Sequence, residues 1–136
     1  MDGNVTEILA KYRIVAIVGR SKDPSKDSYK VAEYLKKHGF QIIPINPSAD
    51  EILGEKSYKS LLDLPTDVQK SLEVIDVFRP SQEVPTMVEQ VIKLRKLYGK
   101  PHVVLMQLGI TNEEAAQTAI KEGLSVVMKQ SDFTNI

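Results

Sequence analysis

The residues of this chain best suited to chemistry fall just after short apolar runs. Directly after Ile14–Val18 comes the turn GRSKDPSKDS, which holds Gly19, Ser21, Lys22, Asp23, Pro24, Lys26 and Ser28. Gly19 lets the backbone leave a strand without a Cβ clash. Ser21 and Ser28 offer hydroxyls, Lys22 and Lys26 offer ammonium donors, and Arg20 adds another cation if it faces inward. The N–H groups at the start of a following helix would point the same way, and the set suits an anionic phosphate. Taken alone, the turn is explained more simply as a solvated surface loop.

The turn opens like a dinucleotide-binding loop, but the second and third glycines of G-x-G-x-x-G are absent. An NAD site also wants Asp or Glu after the second strand, to accept hydrogen bonds from the ribose hydroxyls. Here the second apolar run, Gln41–Ile45, is followed by Asn46 and Pro47. That argues against ordinary NAD binding and permits a phosphorylated ribose; an Asn-Pro turn with no ligand accounts for it equally well. A third run, Leu72–Phe78, leads into Arg79 and Pro80. Phe78 can pack on a ligand and Arg79 can pair with phosphate. Asp76 lies inside this run and reads as an acceptor of backbone hydrogen bonds, because no His or second carboxylate accompanies it. The fourth run ends in Gln107, Leu108 and Gly109. Gln107 is an amide donor and acceptor, and Gly109 either admits a ligand close to the backbone or only makes a tight turn.

These residues need elements to position them. The five runs, Ile14–Val18, Gln41–Ile45, Leu72–Phe78, His102–Leu108 and Leu124–Met128, are rich in Val and Ile without strict polar alternation. That pattern predicts strands covered on both faces, as in a parallel sheet. Helical patterns alternate with them. Ser28 is placed as the N-cap of the first, with Val31, Ala32, Leu35 and His38 on its buried face and Gly39 at its end. The second runs from Ser81 to Tyr98, with Val84, Met87, Val88, Val91, Leu94 and Tyr98 at steps of three and four and Pro85 in its first turn. The third runs from Asn112 to Glu122, packing through Ala115, Ala116, Ala119 and Ile120. A leading helix is expected near Val5–Tyr12. The stretch Asn46–Leu64 is the least regular, with one short helical piece expected in YKSLLDL. The order predicts a single α/β domain over residues 1–136, a three-layer, doubly wound, mostly parallel five-stranded sheet of Rossmann-like type. Ligands bind such sheets outside the carboxyl ends of the strands, where the singled-out residues lie.

Composition narrows the function classes. The 136 residues carry 18 Lys plus Arg and 18 Asp plus Glu, so no global field favours nucleic acid. With no Cys, disulfides, thiolate metal sites and a cysteine nucleophile are excluded. Two separated His residues make no metal site. There is no P-loop and no nucleophile elbow. No apolar run approaches the ~20 residues of a membrane span. The polar N-terminus does not read as a signal peptide. The expectation is a cytoplasmic domain that binds neither nucleic acid nor membrane.

Together the strand ends resemble the small stand-alone CoA-binding proteins, related to the CoA-binding domain of the succinyl-CoA synthetase α subunit. The matching pieces are AIVGRSKDPSKDSYKVAEYLKKHGFQIIPINP, ILGEKSYKSLLDLP, VIDVFRP, LMQLGITNEEAA and AIKEGLSVVM, in the family's order. The resemblance implies a Rossmann-like fold holding coenzyme A, or acyl-CoA, across the strand ends. It implies a cradle of Gly19, Ser21, Lys22, Asp23 and Pro24. Asn46-Pro47 would lie near the adenosine, Phe78, Arg79 and Pro80 along the site, and Gln107, Leu108 and Gly109 would close it. Ser48 stands where the family often has Lys, a role Lys22 or Lys26 would have to fill. Ser131 stands at about the place of a frequent Cys. The synthetase's phosphohistidine domain has no counterpart, so ligase activity is not implied. The expected role is a non-catalytic carrier, sensor or accessory module, with a protein partner or a second copy as its company. The alternative is an NAD(P)-binding oxidoreductase or a subunit of one.

Overall fold

The computed structural model describes residues 3–19, 26–107 and 110–128, and side chains from Thr6 onward within them. Helix α1 (Gly3–Lys11) leads into β1 (Ile14–Val18), α2 (Asp27–Lys37) and β2 (Gln41–Ile45). A hairpin of β3 (Glu51–Ile52) and β4 (Glu55–Lys56) follows, then a 3-10 turn at Leu61–Asp63 and α3 (Thr66–Ser71). The remainder is β5 (Val74–Val77), a 3-10 turn at Ser81–Glu83, α4 (Val84–Tyr98), β6 (Val103–Met106), α5 (Glu113–Lys121) and β7 (Ser125–Met128).

Five strands form one parallel sheet in the order β2-β1-β5-β6-β7. Numbered by their own succession this is 2-1-3-4-5, a doubly wound order whose direction reverses between β1 and β5. The central strands are buried along both faces, which is why their sequences run Val-Ile without alternation. One face packs Val15, Ile17, Val74 and Val103 under α1 and α2, through Ile8, Val31, Ala32 and Leu35. The other packs Ala16, Val18, Ile75, Val77, Val104 and Met106 under α4 and α5. The expected α/β architecture, strand positions and helix faces hold, with five differences.

First, α2 begins at Asp27, and Ser28 is not its N-cap; Lys26 holds the extended cap position with no side-chain cap bond. The Asp27 carboxylate occupies the first turn, where the helix dipole favours it. Second, His38 is exposed rather than buried. It follows the last helical residue, so the 3.6-residue phase no longer applies; its ring stacks on Tyr34 and its Nδ1 lies 2.7 Å from the Tyr34 carbonyl. Third, Ile120 is 50% exposed, because α5 lies over β7 at the sheet's end, with no strand beyond. Fourth, the irregular stretch contains a hairpin with Leu53 and Gly54 both at positive φ, 54° and 79°. Two such residues fit the tight turn that antiparallel strands favour. Lys36 of α2 clasps it, donating to the Leu53 carbonyl and pairing with Glu55 at 2.9 Å. Fifth, α3 has no sequence counterpart above; it buries no residue fully and so lacks an apolar stripe.

Candidate functional site

The carboxyl ends of β1, β2, β5 and β6 are tied to one another by backbone. The Gly19 N–H donates to the Ile45 carbonyl at 3.0 Å, the Phe78 N–H to Val18 at 2.8 Å, and the Gln107 N–H to Val77 at 3.2 Å. Arg79 adds a side-chain tie: its Nε–H donates to the Gly19 carbonyl at 3.0 Å, and its Nη1 lies 3.4 Å from Glu83 Oε1. Thus the backbones of Gly19, Phe78 and Gln107 and the side chain of Arg79 meet at the strand ends.

Gly19 is needed for close approach. A Cβ there would stand 3.1 Å from both Cβ and Oγ of Ser28, tighter than ordinary contact. Ser28 therefore abuts the end of β1 from the first turn of α2. Its hydroxyl borders a narrow crevice with Gly19, Tyr29, Pro44, Asn46 and Ile52. Lys26 precedes this turn and has no ion pair among the described residues.

Asn46 is only 2% exposed. Its N–H donates to the Tyr58 carbonyl at 2.7 Å and its Oδ1 accepts from the Ser48 N–H at 2.8 Å. The side chain therefore makes the turn around exposed Pro47, the ligand-free role weighed for it, while Asn46 also borders the crevice. Phe78 packs half-buried against the core under α2, and Pro80 starts the 3-10 turn before α4. Gln107 donates from Nε2 to Asp76 Oδ1 at 2.7 Å, with both side chains buried. Asp76 accepts this side-chain donor because Gln107, on β6's continuation, lies beside it on the same face. The Gln107 amide nitrogen is thereby committed to Asp76. Ser21, Lys22, Asp23, Pro24, Leu108 and Gly109 lie outside the described residues.

On the α4 face, beside Arg79, opens a cleft of about 250 Å³. Val18, Ile45, Leu61 and Met87 form its apolar floor. Its rim carries Lys59, Ser60, Gln82, Thr86 and Gln90, with Arg79 and its ion-pair partner Glu83. The sequence reading singled out only Arg79 among these. The signal was present in the four-residue spacing of Gln82, Thr86 and Gln90, a polar stripe that runs from the 3-10 turn into the first half of α4. Lys59 and Ser60 are brought here by a parallel bridge of Tyr58 to Ile45, a non-local pairing. An apolar floor with amide and hydroxyl donors at its rim accommodates a flat heterocycle, and flanking cations accommodate phosphate. Among the described residues no group of His, Asp and Glu is arranged to hold a metal, and no helix is long and apolar enough to cross a membrane.

The family model described as CoA binding domain matches residues 13–132. An uncharacterized Bacillus subtilis protein, YneT, is 32% identical over 124 residues, 91% of this chain and 85% of that protein. An ADP-forming acetate–CoA ligase of Methanocaldococcus jannaschii is 41% identical over 76 residues, 56% of this chain but 10% of the ligase. Among solved structures, a hypothetical protein from Pyrococcus horikoshii OT3 superimposes with a TM-score of 0.83 at 35% identity, covering 98% of this chain and 88% of that one.

Proposed function

Because the chain belongs to the CoA-binding domain family, we propose that it binds coenzyme A or an acyl-CoA across the carboxyl ends of β1, β2 and β5, without catalysing a reaction. The carrying observation is the junction of Arg79 with Gly19 at the switch point, beside the α4 cleft. In this reading the adenine enters the cleft over Val18, Ile45 and Met87. The pyrophosphate lies at the turn after β1, against Gly19, Ser28 and the start of α2, with Ser21, Lys22, Asp23, Pro24 and Lys26 completing the cradle. Asn46 and Pro47 border the ribose, and Phe78, Arg79 and Pro80 follow the ligand from β5. Gln107, Leu108 and Gly109 close the far side. The non-catalytic role is supported by the engagement of Asp76 with Gln107, which leaves that amide to hold a carboxylate rather than a reacting group.

Isothermal titration with CoA, acetyl-CoA, NAD and NADP tests the reading. Saturable binding of CoA or acetyl-CoA is expected. Saturable NAD binding with no response to CoA would overturn it in favour of an oxidoreductase-type site.

A further inference from the structure

The two edges of the sheet are treated differently. The β2 edge is guarded at its carboxyl end. Pro44 has no N–H to offer there, and Tyr58 pairs beside it, donating to the Pro44 carbonyl at 3.1 Å and accepting from the Asn46 N–H at 2.7 Å. The β7 edge is open. The Ser125 N–H donates inward to His102 at 3.0 Å, so strand alternation turns the N–H and C=O of Val126 and Met128 outward. Neither has an outward partner among the described residues. This edge strand, Ser-Val-Val-Met, carries no charge and no proline, and Val126, Val127 and Met128 are half-buried. Proteins usually guard such an edge with Lys, Pro or a bulge.

A groove of about 500 Å³ wraps this edge from α1 round to the end of α5, with Ile8, Tyr12, Leu124 and Val127 along it, Ile120 on the α5 side and Glu7 and Lys11 on the α1 side. We infer that this edge pairs with the β7 edge of a second copy of the chain, making a continuous ten-stranded sheet about a two-fold axis. Antiparallel pairing is self-complementary: Val126 of one copy lies opposite Met128 of the other, and both pairs of outward backbone groups are satisfied. The axis of such a junction is perpendicular to the sheet, so each helix beside the edge meets its own copy, running antiparallel. Glu7 of α1 then faces Lys11 of the other α1, twice over. On the opposite face the exposed Ile120 side chains of the two α5 helices approach each other. One acid and one base, beside Tyr12, Ser125 and aliphatic side chains, match this copy-on-copy arrangement better than a strongly charged partner.

Analytical ultracentrifugation between about 1 and 100 μM tests this, the chain mass being 15.2 kDa. The wild type is expected to sediment at twice that mass. Ile120→Glu and Lys11→Glu should each shift it to the monomer with CoA binding unchanged. Combining Glu7→Lys with Lys11→Glu should restore the dimer, because the swap re-creates opposite charges across the axis. A wild-type monomer at 100 μM, or a dimer indifferent to both single substitutions, would overturn the proposal.

Discussion

The Nε–H of Arg79 donates to the Gly19 carbonyl at 3.0 Å, joining the end of β5 to the end of β1 where the sheet reverses direction. One guanidinium edge is thereby spent on backbone, and the side chain, 17% exposed, faces the α4 cleft. Arg79→Ala should weaken CoA by roughly 1–3 kcal/mol, the scale of a lost charge-assisted hydrogen bond. Arg79→Lys should restore little, since an ammonium cannot hold the carbonyl and a phosphate with a planar fork. Titration calorimetry on both variants reads this; equal affinity in Arg79→Ala would remove the residue from the site.

A methyl group at position 19 would press on Ser28 at 3.1 Å. Gly19→Ala should cost about 1–3 kcal/mol of stability, the usual range for overpacking, and should also weaken CoA by displacing the start of α2. Urea unfolding gives the first quantity and calorimetry the second. A variant that keeps both would mean that α2 can recede without consequence.

The buried Asp76–Gln107 pair is local to the strand ends, at 2.7 Å. Gln107→Ala should cost about 1–3 kcal/mol, because it removes the amide donor from a buried acceptor. Asp76→Ala and Gln107→Ala should be non-additive in a double-mutant cycle. Additive costs would show that the two side chains do not act together.

At the opposite end of the sheet, His102 stacks on Tyr12 and accepts from Arg95 Nη1 at 3.4 Å. Burial first, and then the Arg95 guanidinium, hold its imidazole below the ordinary 6.5. The unfolded chain therefore takes up the proton at higher pH than the folded one does. Stability from this group is fully present above pH 6.5 and falls as pH drops through the lowered folded value. Urea unfolding at several pH values should show a smaller acid loss in His102→Gln than in the wild type; parallel profiles would contradict it.

Much of this was legible in the sequence. The Val-Ile runs gave all five parallel strands, and the three- and four-residue spacing of Val84, Met87, Val88, Val91 and Leu94 gave the buried face of α4. The expected start of the last helix at Asn112 marks the cap of α5, whose Oδ1 accepts from the Ala115 N–H at 2.9 Å. What periodicity missed depended on contacts distant in sequence. The cleft rim at Lys59 and Ser60 needs the Tyr58–Ile45 bridge, and the hairpin needs Lys36 across 17 residues. Ile120 followed the helical period, but only topology says that α5 covers the last strand. The resemblance to CoA-binding proteins supplied what no single turn did, because each strand end alone also reads as an ordinary loop.

Thermal unfolding with and without CoA tests the central claim most directly. A ligand bound only by the folded state at one hundred times its Kd stabilises that state by about 2.7 kcal/mol. The account predicts that CoA raises Tm by several degrees, increasing with concentration, while NAD at the same concentrations does not. A Tm unmoved by saturating CoA and raised by NAD would contradict it.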